Sequence, residues 1–368
     1  MLKRAPLWIL ALPGVLGLFG CGSSKRQFAY VTTPFNDSVT AYRVDSNTGG
    51  FSQILGSPYP TGISPSAIVV HPSGKFAYIS NAGDNTISLY KVNSTGSLTE
   101  ILPRTNTGRQ PSALAMDPAG TVLFSVNNFT NDISAYTIDS GTGALTEASN
   151  SPFPTRGFGP LHAAVSPSGK FLFVANSNSA SVSGFSFDSS ANLTPVPNSP
   201  VPVGNGPNWI AFDPAGKFLY VPNIQDGTFS GFSIDASTGA PTVINGSPFG
   251  VSATTTTVIP LSSIVVEPAG KYIYVTANNS SNNVYGFVLN STTGVPGTAI
   301  TNSPFAGGTL ASFVATDVFG HLLFVGNQGT GGATGAITTL KIAPADGSLT
   351  QVSTTSTGST PTSIATLK

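Results

Sequence analysis

The chain has 368 residues, with 15 Lys plus Arg against 15 Asp plus Glu, and charged residues make up only 8% of it, against roughly 25% in an average soluble protein. No block of one sign stands out, so a nucleic acid has no electrostatic docking site and none is expected as a partner. The 41 Gly and 29 Pro, with abundant Ser, Thr and Asn, suit many short strands joined by polar turns.

At the N-terminus, Lys3 and Arg4 precede an apolar run at residues 5–19, the pattern of an export signal. Pro13 and Gly14 break the run, and it is too short for a spanning helix. It ends in Leu18-Phe19-Gly20-Cys21, which resembles the lipobox of bacterial lipoproteins, although Phe19 is bulkier than that motif usually carries. The resemblance implies that Cys21 becomes the lipidated first residue of the mature chain. Cys21 is also the only cysteine, which excludes an intramolecular disulfide and a Cys metal cluster. The expected organisation is a signal peptide at 1–20, an anchor and tether at 21–27, and one folded domain at 28–368. Such a chain sits in the cell envelope and touches the membrane through its lipid alone.

Beyond the tether one phrase recurs with period-2 patterning: Ser38-Val-Thr-Ala-Tyr42, Thr86-Ile-Ser-Leu-Tyr90, Asp132-Ile-Ser-Ala-Tyr136, Ser181-Val-Ser-Gly-Phe185, Thr228-Phe-Ser-Gly-Phe232, Asn283-Val-Tyr-Gly-Phe287 and Ala336-Ile-Thr-Thr-Leu340. The step is about 50 residues, the span of a four-stranded propeller blade. Ahead of it in each unit comes a turn such as Pro-Ser-Gly-Lys-Phe at 72–76 or Pro-Ala-Gly-Lys-Phe at 214–218. Pro presets such a turn and Gly supplies the positive φ. The strand before the turn reads Pro65-Ser-Ala-Ile-Val-Val, and the strand after it reads Phe76-Ala-Tyr-Ile-Ser-Asn81. A fourth strand follows the Thr-Gly turns, as in Gly143-Ala-Leu-Thr-Glu147. The fold predicted is all-β, a seven-bladed β-propeller with four antiparallel strands per blade. Its ring closes by pairing the C-terminal Pro361-Thr-Ser-Ile-Ala-Thr366 with the N-terminal Phe28-Ala-Tyr-Val-Thr-Thr33, which removes exposed sheet edges.

Strand ends such as Tyr-Ile-Ser-Asn81 and Tyr-Val-Pro-Asn223 resemble the Tyr-Val-Thr-Asn repeat of surface-layer propellers. They are equally similar to the 6-phosphogluconolactonase-type propeller lactonases, and the resemblance covers essentially all of the mature chain. Those lactonases carry Gly-x-Gly-Pro-Arg-His at the opening of one inner strand and Asn-Glu at the end of the next. Here the segments are Gly157-Phe-Gly-Pro-Leu-His162 and Asn176-Ser177. His162 and Asn176 match, whereas Leu161 replaces the Arg and Ser177 replaces the Glu.

The third position of the inner strands varies most: Ala67, Ala113, His162, Trp209, Ser263, Phe313 and Ser363. Inner strands open near one end of the central channel, so His162 and Trp209 are expected on adjacent blades there, with Arg109, Arg156, Asn176 and Asn208 as further ligand contacts. Two guanidinium groups beside an aromatic wall suit a carbohydrate-like ligand. If a lactone is hydrolysed, His162 is the expected general base, because an unperturbed imidazole titrates near neutrality, and Arg156 is the expected oxyanion partner. The plainer reading makes His162 a packed residue bonding backbone, Trp209 and Phe313 wedges between blades, the two Arg solvated loop charges, and the strand-end Asn residues caps for backbone groups at turns.

The three His fall in different units, no phosphate loop or Gly-x-Ser-x-Gly elbow occurs, and no metal or cofactor is expected. Two functions remain. One is an envelope module, a monomer that binds a carbohydrate-like ligand or an envelope protein without chemistry. The other is a sugar-lactone hydrolase. A phosphorylated gluconolactone is a cytoplasmic substrate, at odds with export, and the binding module is the main expectation.

Overall fold

In the turn at 72–76, Gly74 takes φ +69° and its N–H donates to the carbonyl of His71 at 2.7 Å. That closes a tight reversal between the strands Pro65–Val70 and Phe76–Asn81. The same Gly geometry recurs at Gly120, Gly169, Gly216, Gly270 and Gly320, so the short motif read in the sequence is the hairpin that starts six of the seven blades. The computed structural model describes residues 27–251, 258–279, 283–329 and 334–368. Cys21 and the expected signal peptide lie outside the described residues.

Each hairpin continues outward as a meander. In the second blade the order is Pro65–Val70, Phe76–Asn81, Thr86–Val92 and Leu98–Asn106. Seven such sheets form, and five of them gain a short fifth strand against the third, as where Phe153–Pro154 pairs with Asp132–Ile138. The expected closure is present. Ser363–Leu367 runs antiparallel to Gln27–Thr33, with Ser363 opposite Thr32 and Leu367 opposite Phe28, so the first blade is made from both chain ends. In the fifth blade the expected inner strand at 207–212 is only partly formed. Ala211–Phe212 is a strand, and Pro207 makes a single bridge to Asn223.

The second strand of each blade is buried along its whole length, as in Phe76–Asn81 and Phe171–Asn176. Its Tyr reaches the outer turn of the next blade: Tyr30 donates to Gly96 O at 3.0 Å, Tyr78 to Gly143 O at 2.8 Å, Tyr220 to Gly294 O at 2.7 Å and Tyr274 to Gly347 O at 2.7 Å. The same glycines sit under a ring from the start of that strand. A Cβ on Gly143, whose φ is +76°, would lie 2.7 Å from the Phe76 ring. The Tyr of the repeat is therefore a bond between blades, and its Gly is small so that an aromatic can cover it.

The strand-end Asn residues correct an expectation in part. They lie in extended strand rather than in left-handed geometry, and Asn81 Oδ1 does accept a loop backbone N–H, that of Gly62 at 3.1 Å. Their Nδ2 groups tie hydroxyls on the third strand: Asn81 donates to Thr86 and Ser88 at 3.0 Å each, and Asn223 to Thr228 and Ser230 at 3.1 and 3.0 Å.

Candidate site at the channel opening

Five of the seven inner strands carry a β-bulge just inside their start. Pro65 faces Asn81, but Ala67 rather than Ser66 faces Ser80, and similar shifts occur at Pro160/His162, Leu261/Ser263 and Ala311/Phe313. A bulge sets two residues against one and turns them toward the same side. Consequently both the second and the third strand positions meet the channel, where they line a cavity of about 220 Å³.

Second positions hold a belt of bonds from blade to blade. Ser66 donates to Pro111 O at 2.6 Å, Ser112 to Pro160 O at 3.0 Å, Asn208 Nδ2 to Ser262 O at 2.8 Å, Ser312 to Pro361 O at 3.3 Å and Thr362 to Pro65 O at 3.1 Å. Third positions form a second belt by accepting a backbone N–H of the next blade: Ser263 from Val314 at 3.1 Å, Ser363 from Ile68 at 3.4 Å, and His162 Nδ1 from Ile210 at 3.3 Å. Leu161 has no donor, so at the channel the hydrogen bond from the fourth to the fifth blade is the one at His162, beside the apolar core the two blades share.

That contact decides the chemistry available to the imidazole. Burial lowers its pKa from 6.5 to about 3, so the ring is neutral at ordinary pH. With Nδ1 accepting from Ile210, the tautomer assigned by the hydrogen bonding carries its proton on Nε2. The expectation of a base titrating near neutrality is thereby corrected: His162 offers a donor, because desolvation penalises its cation and its one lone pair is engaged. Nε2 has no protein partner among the described residues. The ring stacks on Trp209 with centroids 3.9 Å apart and planes at 22°, and Trp209 packs behind into two of the inter-blade cores. Phe313 is buried and lines the cavity as well, so both aromatics are wedges that also present a face to the channel.

Of the residues expected at the site, the structure gathers His162, Trp209 and Asn208 around one cavity. Arg109, Arg156 and Asn176 are not among its lining residues. Arg109 lies over the exposed Phe129 ring, 4.1 Å from its centroid. Arg156 is an exposed loop residue at φ +64°. Asn176 is fully buried, donating to Ser181 and Ser183 at 3.3 and 2.9 Å. Sequence reasoning missed Ser66, Ser112 and Thr362, which line the cavity. The repeated Pro-Ser or Pro-Thr opening was their signal, hidden because a regular strand would have turned the second position away. Oδ1 of Asn208 is buried without a partner. Among the described residues no three His, Cys, Asp or Glu are placed to hold a metal ion.

The sequence matches the family model of the lactonase with a 7-bladed β-propeller over residues 20–157 and 160–366. No curated protein matches it. Among solved structures it is similar to a "putative 6-phosphogluconolactonase" of Bacteroides fragilis, with 21% identity, TM-score 0.79, and coverage of 94% of this chain and 99% of that one. It is also similar to the periplasmic gluconolactonase of Pseudomonas aeruginosa, with 16% identity, TM-score 0.78, and coverage of 93% and 99%. At such identities the structures speak for the fold, and the family match rests on the sequence itself. Seven closed blades, an inner-strand His at the channel opening and a match along nearly the whole propeller agree: the chain belongs to the seven-bladed β-propeller lactonase family.

Proposed function

We propose that this propeller takes a small cyclic ester into the channel opening and hydrolyses it. The observation that carries the reading is His162 itself, a neutral imidazole that stacks on Trp209 and lines the cavity, its Nδ1 engaged by Ile210, in a lactonase-family chain. Water adds to the carbonyl carbon, the oxyanion that develops accepts from Nε2–H, and collapse breaks the ring C–O bond while the proton released by the water passes through solvent to the departing oxygen. Removing a donor of this kind typically lowers kcat about 10²–10³-fold. The cavity lining contains no Asp or Glu, so the rate rests on oxyanion stabilisation and positioning.

The absence of any carboxylate, Lys or Arg from that lining favours a second reading: a monomeric envelope module that holds a carbohydrate-like ligand or protein without turnover. In both readings export and anchoring through Cys21 are part of the proposal. They are supported by the apolar leader and the Gly20-Cys21 junction, and by a periplasmic gluconolactonase among the similar structures. The deciding test is hydrolysis of a lactone panel beside the His162→Ala variant. Wild-type acceleration that falls about a hundredfold in the variant supports the hydrolase; rates equal to buffer in both leave the binding module.

A further inference from the structure

We infer that the ligand is a neutral ring bearing an apolar substituent, and that Leu161, Phe158 and Phe129 form the lip that receives this substituent. The inference rests on the proposal that a cyclic ester enters the channel, and names the class. The cavity of about 220 Å³ falls below the roughly 300–1,000 Å³ of pockets for drug-sized ligands. It seats one small ring, and anything attached to that ring has to leave through the opening. Its lining holds no ionisable group except His162, which is neutral, so a phosphate or carboxylate would enter without a counter-charge, at a large desolvation cost.

What waits at the opening is apolar. Leu161 lines the cavity and is 37% exposed, Phe158 three residues before it is 67% exposed, and Phe129 on the neighbouring blade is 58% exposed. The loops carrying them are joined: Asn128 Nδ2 donates to Pro160 O at 3.0 Å, and Gly159 N–H donates to Asn131 Oδ1 at 2.7 Å. Arg109, stacked over Phe129, marks the outer edge of the lip. Large apolar side chains left in water around a cavity indicate a surface built to be covered. An alkyl or aryl group rising from a ring in the channel covers these side chains, while the Arg109 guanidinium stays over the outer face of Phe129.

The test uses the full chain with Trp8→Phe, which leaves Trp209 the sole indole, so that fluorescence reports from the cavity wall. The probes are δ-valerolactone, δ-decalactone, which adds an alkyl chain to the same ring, and glucose 6-phosphate. δ-Decalactone is expected to bind at least tenfold more tightly than δ-valerolactone, with that ratio falling toward one in Phe158→Ser and Phe129→Ser, and glucose 6-phosphate is expected to leave the emission unchanged. Equal affinity for the two lactones, a ratio untouched by both variants, or tighter binding of glucose 6-phosphate overturns the inference. Turnover is followed separately by acid release. Hydrolysis of both lactones with equal affinity would sink the lip and keep the hydrolase, whereas alkyl preference without acid release would do the reverse.

Discussion

The N–H of Ile210 donates to Nδ1 of His162 at 3.3 Å across the seam between the fourth and fifth blades. Ser263 and Ser363 accept equivalent N–H groups at 3.1 and 3.4 Å. The imidazole is thus a structural acceptor on one nitrogen and a free donor on the other. His162→Ser is expected to preserve the seam approximately, and His162→Ala to leave a buried N–H unpaired at a cost of about 1–3 kcal/mol. Urea unfolding of the two variants checks the difference.

The same residue sets a pH dependence. Its folded pKa of about 3 lies below the ordinary 6.5, so between these values the unfolded chain binds the extra proton. Stability therefore falls as pH drops below about 6.5, and this fall sets in before the carboxylates titrate. His162→Ser is expected to flatten that slope, measured as the melting temperature in steps between pH 7 and 4. An unchanged slope would place the acid sensitivity elsewhere.

Tyr78 donates to Gly143 O at 2.8 Å from a fully buried position. Tyr78→Phe keeps the ring and strands the carbonyl. The expected loss is about 1 kcal/mol, read by denaturant titration with an unchanged m-value.

Gly143→Ala attacks the same joint from the other side. Its φ of +76° disfavours any side chain, and the added Cβ would meet the Phe76 ring at 2.7 Å. Strain and displacement together are expected to cost more than the roughly 1–2 kcal/mol of left-handed backbone alone. Gly141→Ala, a nearby exposed turn position, is the control.

Deleting residues 361–368 removes Ser363–Leu367 and opens the ring at Gln27–Thr33. The exposed strand edges are expected to lower the melting temperature sharply and to promote aggregation. An unchanged melting curve would mean that the six complete blades hold the ring without the seam.

Repeats made the architecture legible. The period, the Pro-x-Gly turns and the orphaned strand at each chain end are local features, and each copy corroborates the others. Ser38–Val44, Thr86–Val92 and Asp132–Ile138 begin where the recurring phrase begins. The variable third position also marked out His162 and Trp209, because a residue that departs from an otherwise uniform alignment stands out without coordinates.

Long-range geometry decided the rest. Arg109, Arg156 and Asn176 lie close to the site in sequence, yet a stack on Phe129, an exposed loop and a buried amide clamp take them out of the cavity lining. Ser66 and Ser112 enter it through bulges that no period-2 reading anticipates. The blades, their number and the closure of the ring are written in local sequence, since strand alternation and turn chemistry act over a few residues. That His162 is a neutral donor follows from the folded assembly: the Ile210 N–H 48 residues away fixes its tautomer, and desolvation among blades that the local sequence does not contain lowers its pKa.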